Sequence, residues 1–233
     1  MLLALVRGRP FGVGLWLPAG IVGGLVGLLG LAALYQGMAI GVVSVVAAIA
    51  ATAPIVPLLA GFALRERPSV VQLLGIGLAL GGVLLLAAQP RRPVDQQRLL
   101  PGVGLALLAA LAFGFFLLAV RYASRPDPLQ GVLAVRTGSV GALIVLALLF
   151  RPRLTIRARD FGSLFIVGLL DVGADVLFAI ATTTGLLSIV SILASLYPVV
   201  TVLLARLVLG ERISRIQLGG IVVAFAGVAL IGL

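Results

Sequence analysis

The chain has 233 residues, 62% of them hydrophobic and only 10% charged. A soluble domain carries about 25% charged residues, so a water-soluble fold of this size cannot hide so much apolar surface, and lipid must be the solvent for most of it. The formal net charge of +10, with no histidine and no cysteine, excludes a disulfide framework, a thiolate metal site and a histidine base. Its arginines cluster in short breaks between apolar runs. This is the pattern of headgroup anchoring and topology control, not of a folded basic surface for nucleic acid.

Eight apolar segments follow in chain order. They cover Pro18 to Ala39, Val42 to Leu64, Val70 to Ala88, Gly102 to Val120, Leu129 to Phe150, Phe161 to Thr183, Leu186 to Leu209 and Ile216 to Leu233. Each can cross an apolar layer about 30 Å thick as a helix. In lipid the backbone must satisfy its own hydrogen bonds, which selects helices. The expected fold is an all-α, multi-span helical bundle in the cell membrane. Within the first span Gly20, Gly23, Gly24, Gly27 and Gly30 recur at three- and four-residue spacing, and Gly77 with Gly81 repeats the pattern. Small residues so spaced let helix backbones approach closely.

The chain also repeats itself. Glu66, Arg67, Ser69, Gln72, Gly75 and Gly82 match Glu211, Arg212, Ser214, Gln217, Gly220 and Gly227 at a spacing of 145, and Arg7, Arg9, Gly41, Ser44 and Pro54 match Arg151, Arg153, Gly185, Ser188 and Pro198 at 144. Such self-similarity marks a duplicated helical unit. Five crossings separate the matched arginine pairs, and an odd number inverts the second copy. Inverted repeats give two near-equivalent packings, the basis of alternating access in secondary transporters.

At these residues a family resemblance enters. The runs Val43 to Ile49, Pro54 to Ala60 and Leu64 to Ser69, with Ser195 to Pro198 and Leu209 to Ser214 in the second copy, resemble the EamA domain of the drug/metabolite transporter superfamily. The Gly-Glu-Arg turn is intact at Gly210, Glu211 and Arg212, while the first copy has Arg65 before Glu66 and Arg67. The resemblance covers essentially the whole chain. It implies ten helices in two inverted five-helix repeats and the transport of small organic solutes. On this basis residues 1–89 are the first repeat, 90–101 a linker loop, and 102–233 the second repeat. The second copy has two spans before Arg151 with no counterpart before Arg7, so the first repeat is expected to lack its first two helices, leaving about eight. A start codon upstream, a second chain filling the gap, or an inactive product would each account for this.

Three ionisable side chains fall well inside spans, where charge is costly and usually functional or paired. Asp171 and Asp175 share one helix face by their four-residue spacing. Arg136, on the preceding antiparallel span, reaches nearly the depth of Asp175. The expected pairing is Arg136 with Asp175, leaving Asp171 as the freer carboxylate to exchange a proton or bind a cationic group. A static polar clasp among the three is the competing reading. Tyr35, Gln36 and Tyr197 are candidates for stacking and hydrogen bonding to a solute. Pro54, Pro57 and Pro198, inside apolar spans, are hinge candidates. Glu66 and Glu211 are expected to stabilise the helix N-terminus that follows each of them.

The leading function is a secondary transporter, an exporter of metabolites or drugs, with lipid, a small organic solute, protons and a second copy of the chain as the partners the sequence admits. No catalytic residue, metal or cofactor is expected, and no phosphate-binding loop is present for an ATP-driven pump. The alternatives are a non-transporting or truncated subunit and an intramembrane enzyme using Asp171 and Asp175. Orientation stays open: the arginine rule puts the loops with Arg91, Arg151 and Arg212 in the cytoplasm, whereas the resemblance implies the opposite.

Overall fold

A computed structural model describes residues 14–87, 96–151, 160–196, 199–200, 203–204, 207 and 214–232. In chain order the helices are α1 (Trp16–Ile40), α2 (Val43–Ala50), α3 (Ile55–Ala63), α4 (Val70–Ala87), α5 (Gln96–Ala123), α6 (Pro128–Phe150), α7 (Phe161–Thr184), α8 (Leu187–Ala194) and α9 (Arg215–Ile231). No strand occurs among the described residues. Five segments among them are long and apolar enough to cross a membrane: Trp16–Ile40, Val45–Ala63, Gly102–Ala123, Pro128–Phe150 and Phe161–Thr184. Val70–Leu86 and Arg215–Ile231 are shorter apolar helices. At about 1.5 Å per residue they fall slightly short of the apolar layer.

Two expectations on element boundaries need correction. The linker read over 90–101 is helical from Gln96 onward, because α5 starts there. The span expected over Val42 to Leu64 is not one helix: it breaks between Ala50 and Ile55. Pro54 has no N–H to continue the ladder and stands at the N-cap of α3.

The chain divides into two compact units, Met1–Leu28 with Phe116–Thr184, and Leu29–Phe115 with Gly185–Leu233. In the first unit, glycines of α1 carry the close approaches. A Cβ on Gly20 would lie 2.6 Å from the Cβ of Ala134 on α6, and one on Gly27 2.6 Å from the Phe116 ring on α5. Gly23 faces Ala119, and Gly24 lies against the backbone of Val135 and Ser139. Val120, Val132, Val135 and Ala179 form the buried core beside them. Asp127 starts α6, its carboxylate accepting from the N–H groups of Leu129 (2.9 Å) and Gln130 (3.1 Å), with Pro128 at the first helical position. The N-terminal half of α7 has no packed face: Phe165, Ile166 and Val167 are consecutive, so they point around the helix, and all three are exposed.

In the second unit, α4 and α9 meet backbone to backbone. A Cβ on Gly75 would lie 2.7 Å from the Gly227 carbonyl oxygen, and one on Gly82 2.6 Å from that of Gly220. The reverse contacts are the same: Gly220 faces the Gly82 carbonyl and Gly227 that of Gly75. Rising numbers on α4 meet falling numbers on α9, so the two helices are antiparallel. They are repeat equivalents, and their opposed directions are the inversion deduced from counting crossings. Gly77 and Gly81 were expected to pack, but a Cβ on either would meet nothing within 4 Å. The repeat explains why: it places Val222 and Ala226 at their equivalents, whereas Gly75 and Gly82 recur as glycine. Leu58, Ile76, Ala79, Ile192 and Ile231 close one core cluster here, and Leu86, Val199, Ile221 and Ala224 another.

The helix starts follow from local sequence. On α4, the Ser69 N–H donates to Gln72 Oε1 (3.0 Å) and the Gln72 N–H to Ser69 Oγ (3.2 Å). Ser214 and Gln217 form the same reciprocal box on α9. The repeated Ser-x-x-Gln spacing is therefore a capping box in both copies.

The seam makes a selective prediction. Gly82→Leu forces apart two backbones and should destabilise the protein by about 1–3 kcal/mol, while Gly77→Leu, in open space, should be tolerated. Thermal unfolding in detergent checks this; equal losses for both variants would contradict the seam.

Candidate functional site

The charged site lies in the first unit, where α6 and α7 run side by side. Pro128 and the Asp127 cap set the start of α6, and two turns on this fixes Arg136 on the face toward α7. On α7, Asp171 and Asp175 are one turn apart. Arg136 Nη2 donates to Asp175 Oδ2 at 2.6 Å, and Arg136 Nη1 pairs with Asp171 Oδ2 at 2.7 Å. One guanidinium thus serves two carboxylates. The three differ in exposure: the Asp175 side chain is 16% exposed, Arg136 28% and Asp171 59%.

Sequence reasoning paired Arg136 with Asp175 and left Asp171 freer. The structure gives both contacts, the arrangement of the competing three-way clasp; what sets Asp171 apart is exposure. The reason lies in the fork geometry of arginine, whose two terminal nitrogens reach two acceptors one turn apart. Arg136 Nε is buried with no hydrogen-bond partner among the described residues. No group of three or more His, Cys, Asp or Glu that could hold a metal occurs among the described residues. Chemically, the site holds one carboxylate more than it has guanidinium groups. It can exchange one ionic contact for another on its exposed side while Asp175 keeps Arg136 in place.

Glu66 is the other ionisable centre, and here the sequence expectation was wrong. The carboxylate does not cap α4, which follows it; Ser69 and Gln72 already do that. It caps α8, 121 residues away: Oε1 accepts from the Leu187 N–H at 2.7 Å, and Oε2 from the Ser188 N–H at 3.0 Å and the Ser188 hydroxyl at 2.8 Å. Charge-assisted bonds to the first N–H groups of a helix are among the stronger polar contacts available. The turn before it is shaped to match. Arg65 has a left-handed backbone, φ 64°, at the position where the second copy has Gly210. A non-glycine residue there costs about 1–2 kcal/mol.

The remaining candidates scatter. Tyr35 and Gln36 are exposed on α1 in the second unit. Pro54 marks the break before α3, but Pro57 lies in the first turn of α3, buried, where a missing N–H costs nothing. Arg67 is exposed beside Glu66. Tyr197, Pro198, Glu211 and Arg212 lie outside the described residues. Sequence reasoning also passed over a buried polar stripe along α8 and its C-cap, made by Ser188, Ser191 and Ser195. Their spacing of three and four residues was the available signal.

Comparison with known proteins follows the same lines. A model of the EamA-like transporter family matches residues 1–88 and 100–233. Among solved structures, a crystal structure described only as that of a protein superposes with a TM-score of 0.79 at 20% sequence identity, covering 100% of this chain and 82% of that one. At that identity the likeness speaks for the fold alone. A search of curated proteins gives no match.

The triad predicts a non-additive mutant series. Asp175→Asn alone leaves Arg136 its bond to Asp171. Asp171→Asn with Asp175→Asn strands the arginine and should destabilise by about 2–3 kcal/mol, the scale of an uncompensated arginine in a span. Adding Arg136→Leu to that pair should recover most of the loss. Unfolding midpoints of the three proteins decide it; a double variant as stable as the parent would show that the contacts carry no weight.

Proposed function

We propose that this chain, which belongs to the EamA-like transporter family, is a secondary transporter that exports small organic metabolites or drugs across the cell membrane by alternating access. Family and apolar helices make it a multi-pass membrane protein of the drug/metabolite transporter type. Substrate class, direction and site are the proposal.

The observation that carries it is the exposed carboxylate of Asp171 within a span, 2.7 Å from an arginine that a second carboxylate also holds. Charge placed inside a span is expensive, and it is retained where a polar solute or ion must pass. In this reading Asp175 keeps Arg136 fixed, and Asp171 trades its arginine contact for a proton or for the cationic group of a solute. Tyr35 and Gln36, exposed on α1 in the second unit, are separate candidates for hydrogen bonding or stacking to a solute. The antiparallel pairing of α4 with α9 supports the mechanism, because inverted repeats can rock between two similar packings. The two sequence repeats, 1–89 and 102–233, supply the inverted elements that make those packings similar.

Purified protein in liposomes should move at least one small amphipathic solute down its gradient without ATP. Asp171→Asn should lower the initial rate about tenfold, a loss of about 1.4 kcal/mol in the rate-limiting barrier, or shift its pH profile. A folded protein that moves nothing from a broad metabolite panel is not a transporter. An Asp171→Asn variant with unchanged flux over about pH 5 to 8 removes Asp171 from the role.

A further inference from the structure

Glu66 is over-provided for a helix cap. Its carboxylate takes both leading N–H groups of α8 and the Ser188 hydroxyl at once. The end of α3 is built around it. The Glu66 N–H donates to the Gly61 carbonyl at 3.0 Å, and a Cβ on Gly61 would lie 2.5 Å from Glu66 Oε2. Glycine at 61 therefore leaves room for the carboxylate, and Arg65 holds a left-handed conformation just before it. None of this serves α4, which has its own capping box.

The position of the tie matters as much as its strength. Glu66 belongs to the first sequence copy and α8 to the second. Only Gly185 and Leu186 separate α8 from the end of α7, the helix that carries Asp171 and Asp175. The tie therefore sits next in sequence to the end of the site-bearing helix. Three bonds converge on one carboxylate, so loss of its charge weakens all three at once.

We propose that Glu66 is a positioning residue of the transport cycle, a latch that binds the start of α8 to the turn after α3 at one membrane face and must release for that face to open. The inference rests on the transporter reading above. The repeat carries Glu211 and Ser44 as sequence equivalents of Glu66 and Ser188; Glu211 and the Ser44 side chain lie outside the described residues.

The chain contains no cysteine, so a single introduced thiol is a clean reporter. Ile189→Cys places it on α8 beside the core cluster of Leu58 and Ile192. Val135→Cys, buried in the first unit, serves as control. The measurement is the rate of modification by a membrane-impermeant maleimide in proteoliposomes of the full chain. Glu66→Gln should raise the rate at Ile189→Cys about fivefold or more by weakening three charge-assisted bonds, with the control unchanged. Glu66→Asp should fall between the parent and Glu66→Gln. Ser188→Ala, which removes one bond of three, gives a milder release if Glu66→Gln does not fold. Equal rises at both reporters would mean general loosening, and no rise at either a static cap; each overturns the latch. Labelling needs no solute, so a chain that transports nothing fails the transporter reading on flux while the latch is decided on labelling. Where flux is measurable, Glu66→Gln should change the maximal rate and leave KM unchanged.

Discussion

In hydrocarbon a polar group has no water to fall back on, and the polar contacts inside the spans described above are shaped by that constraint. Backbone groups close into helices. Several side-chain hydroxyls fold back on their own helix, as Thr182 does on the Ala179 carbonyl (3.0 Å) and Ser195 on that of Ile192 (2.7 Å). Where the first residues of a helix are buried, as those of α8 are, its unpaired N–H groups draw a carboxylate from a distant part of the chain. Where an arginine must lie inside a span, two carboxylates meet it. Fold and site are two outcomes of the same need for partners.

This need also explains how the two copies diverged. The helix starts, the glutamate turn and the glycines of α4 and α9 recur in both copies, because they answer demands of the fold. Asp171 and Asp175 have no such counterparts: at a spacing of 144 they fall on Gly27 and Leu31. Gly27 lies against the Phe116 ring, a packing position, whereas Asp171 is exposed. The same place in the repeat is used for packing in one copy and for charge in the other. Charge on one copy alone belongs to what distinguishes the copies, not to what builds them.

Much of this was legible in the sequence. Apolar runs gave the five long spans found among the described residues, counting crossings gave the inversion, and depth along two antiparallel helices gave the Arg136–Asp175 contact. The misses have separate causes. A helix apolar all round offers no polar face, so periodicity cannot tell which of its glycines pack; Gly77 with Gly81 has the same spacing signal as the glycines of α1. Comparison of the two copies carried that information, since Gly75 and Gly82 recur as glycine. The partner of Glu66 was illegible for another reason. A cap contributed from 121 residues away leaves no local signature, except that Ser69 and Gln72 already completed the local one. The contact of Arg136 with Asp171 was legible as the three-way clasp, because a guanidinium has the geometry for two acceptors.

The seam between α4 and α9 has one more consequence. In it, position 75 of the first copy meets position 227 of the second, and 82 meets 220. Expressed in the repeat, one ancestral site touches another, and the reverse contact is identical. That is the definition of an isologous interface, the kind formed by twofold homodimers. A half-length chain bearing this helix would carry both halves of its own lock. Because the contact is antiparallel, such a chain could pair only with a copy inserted into the membrane upside down. Fusion of the two halves makes that opposed insertion a property of a single polypeptide, fixed by its number of crossings rather than left to chance at each insertion.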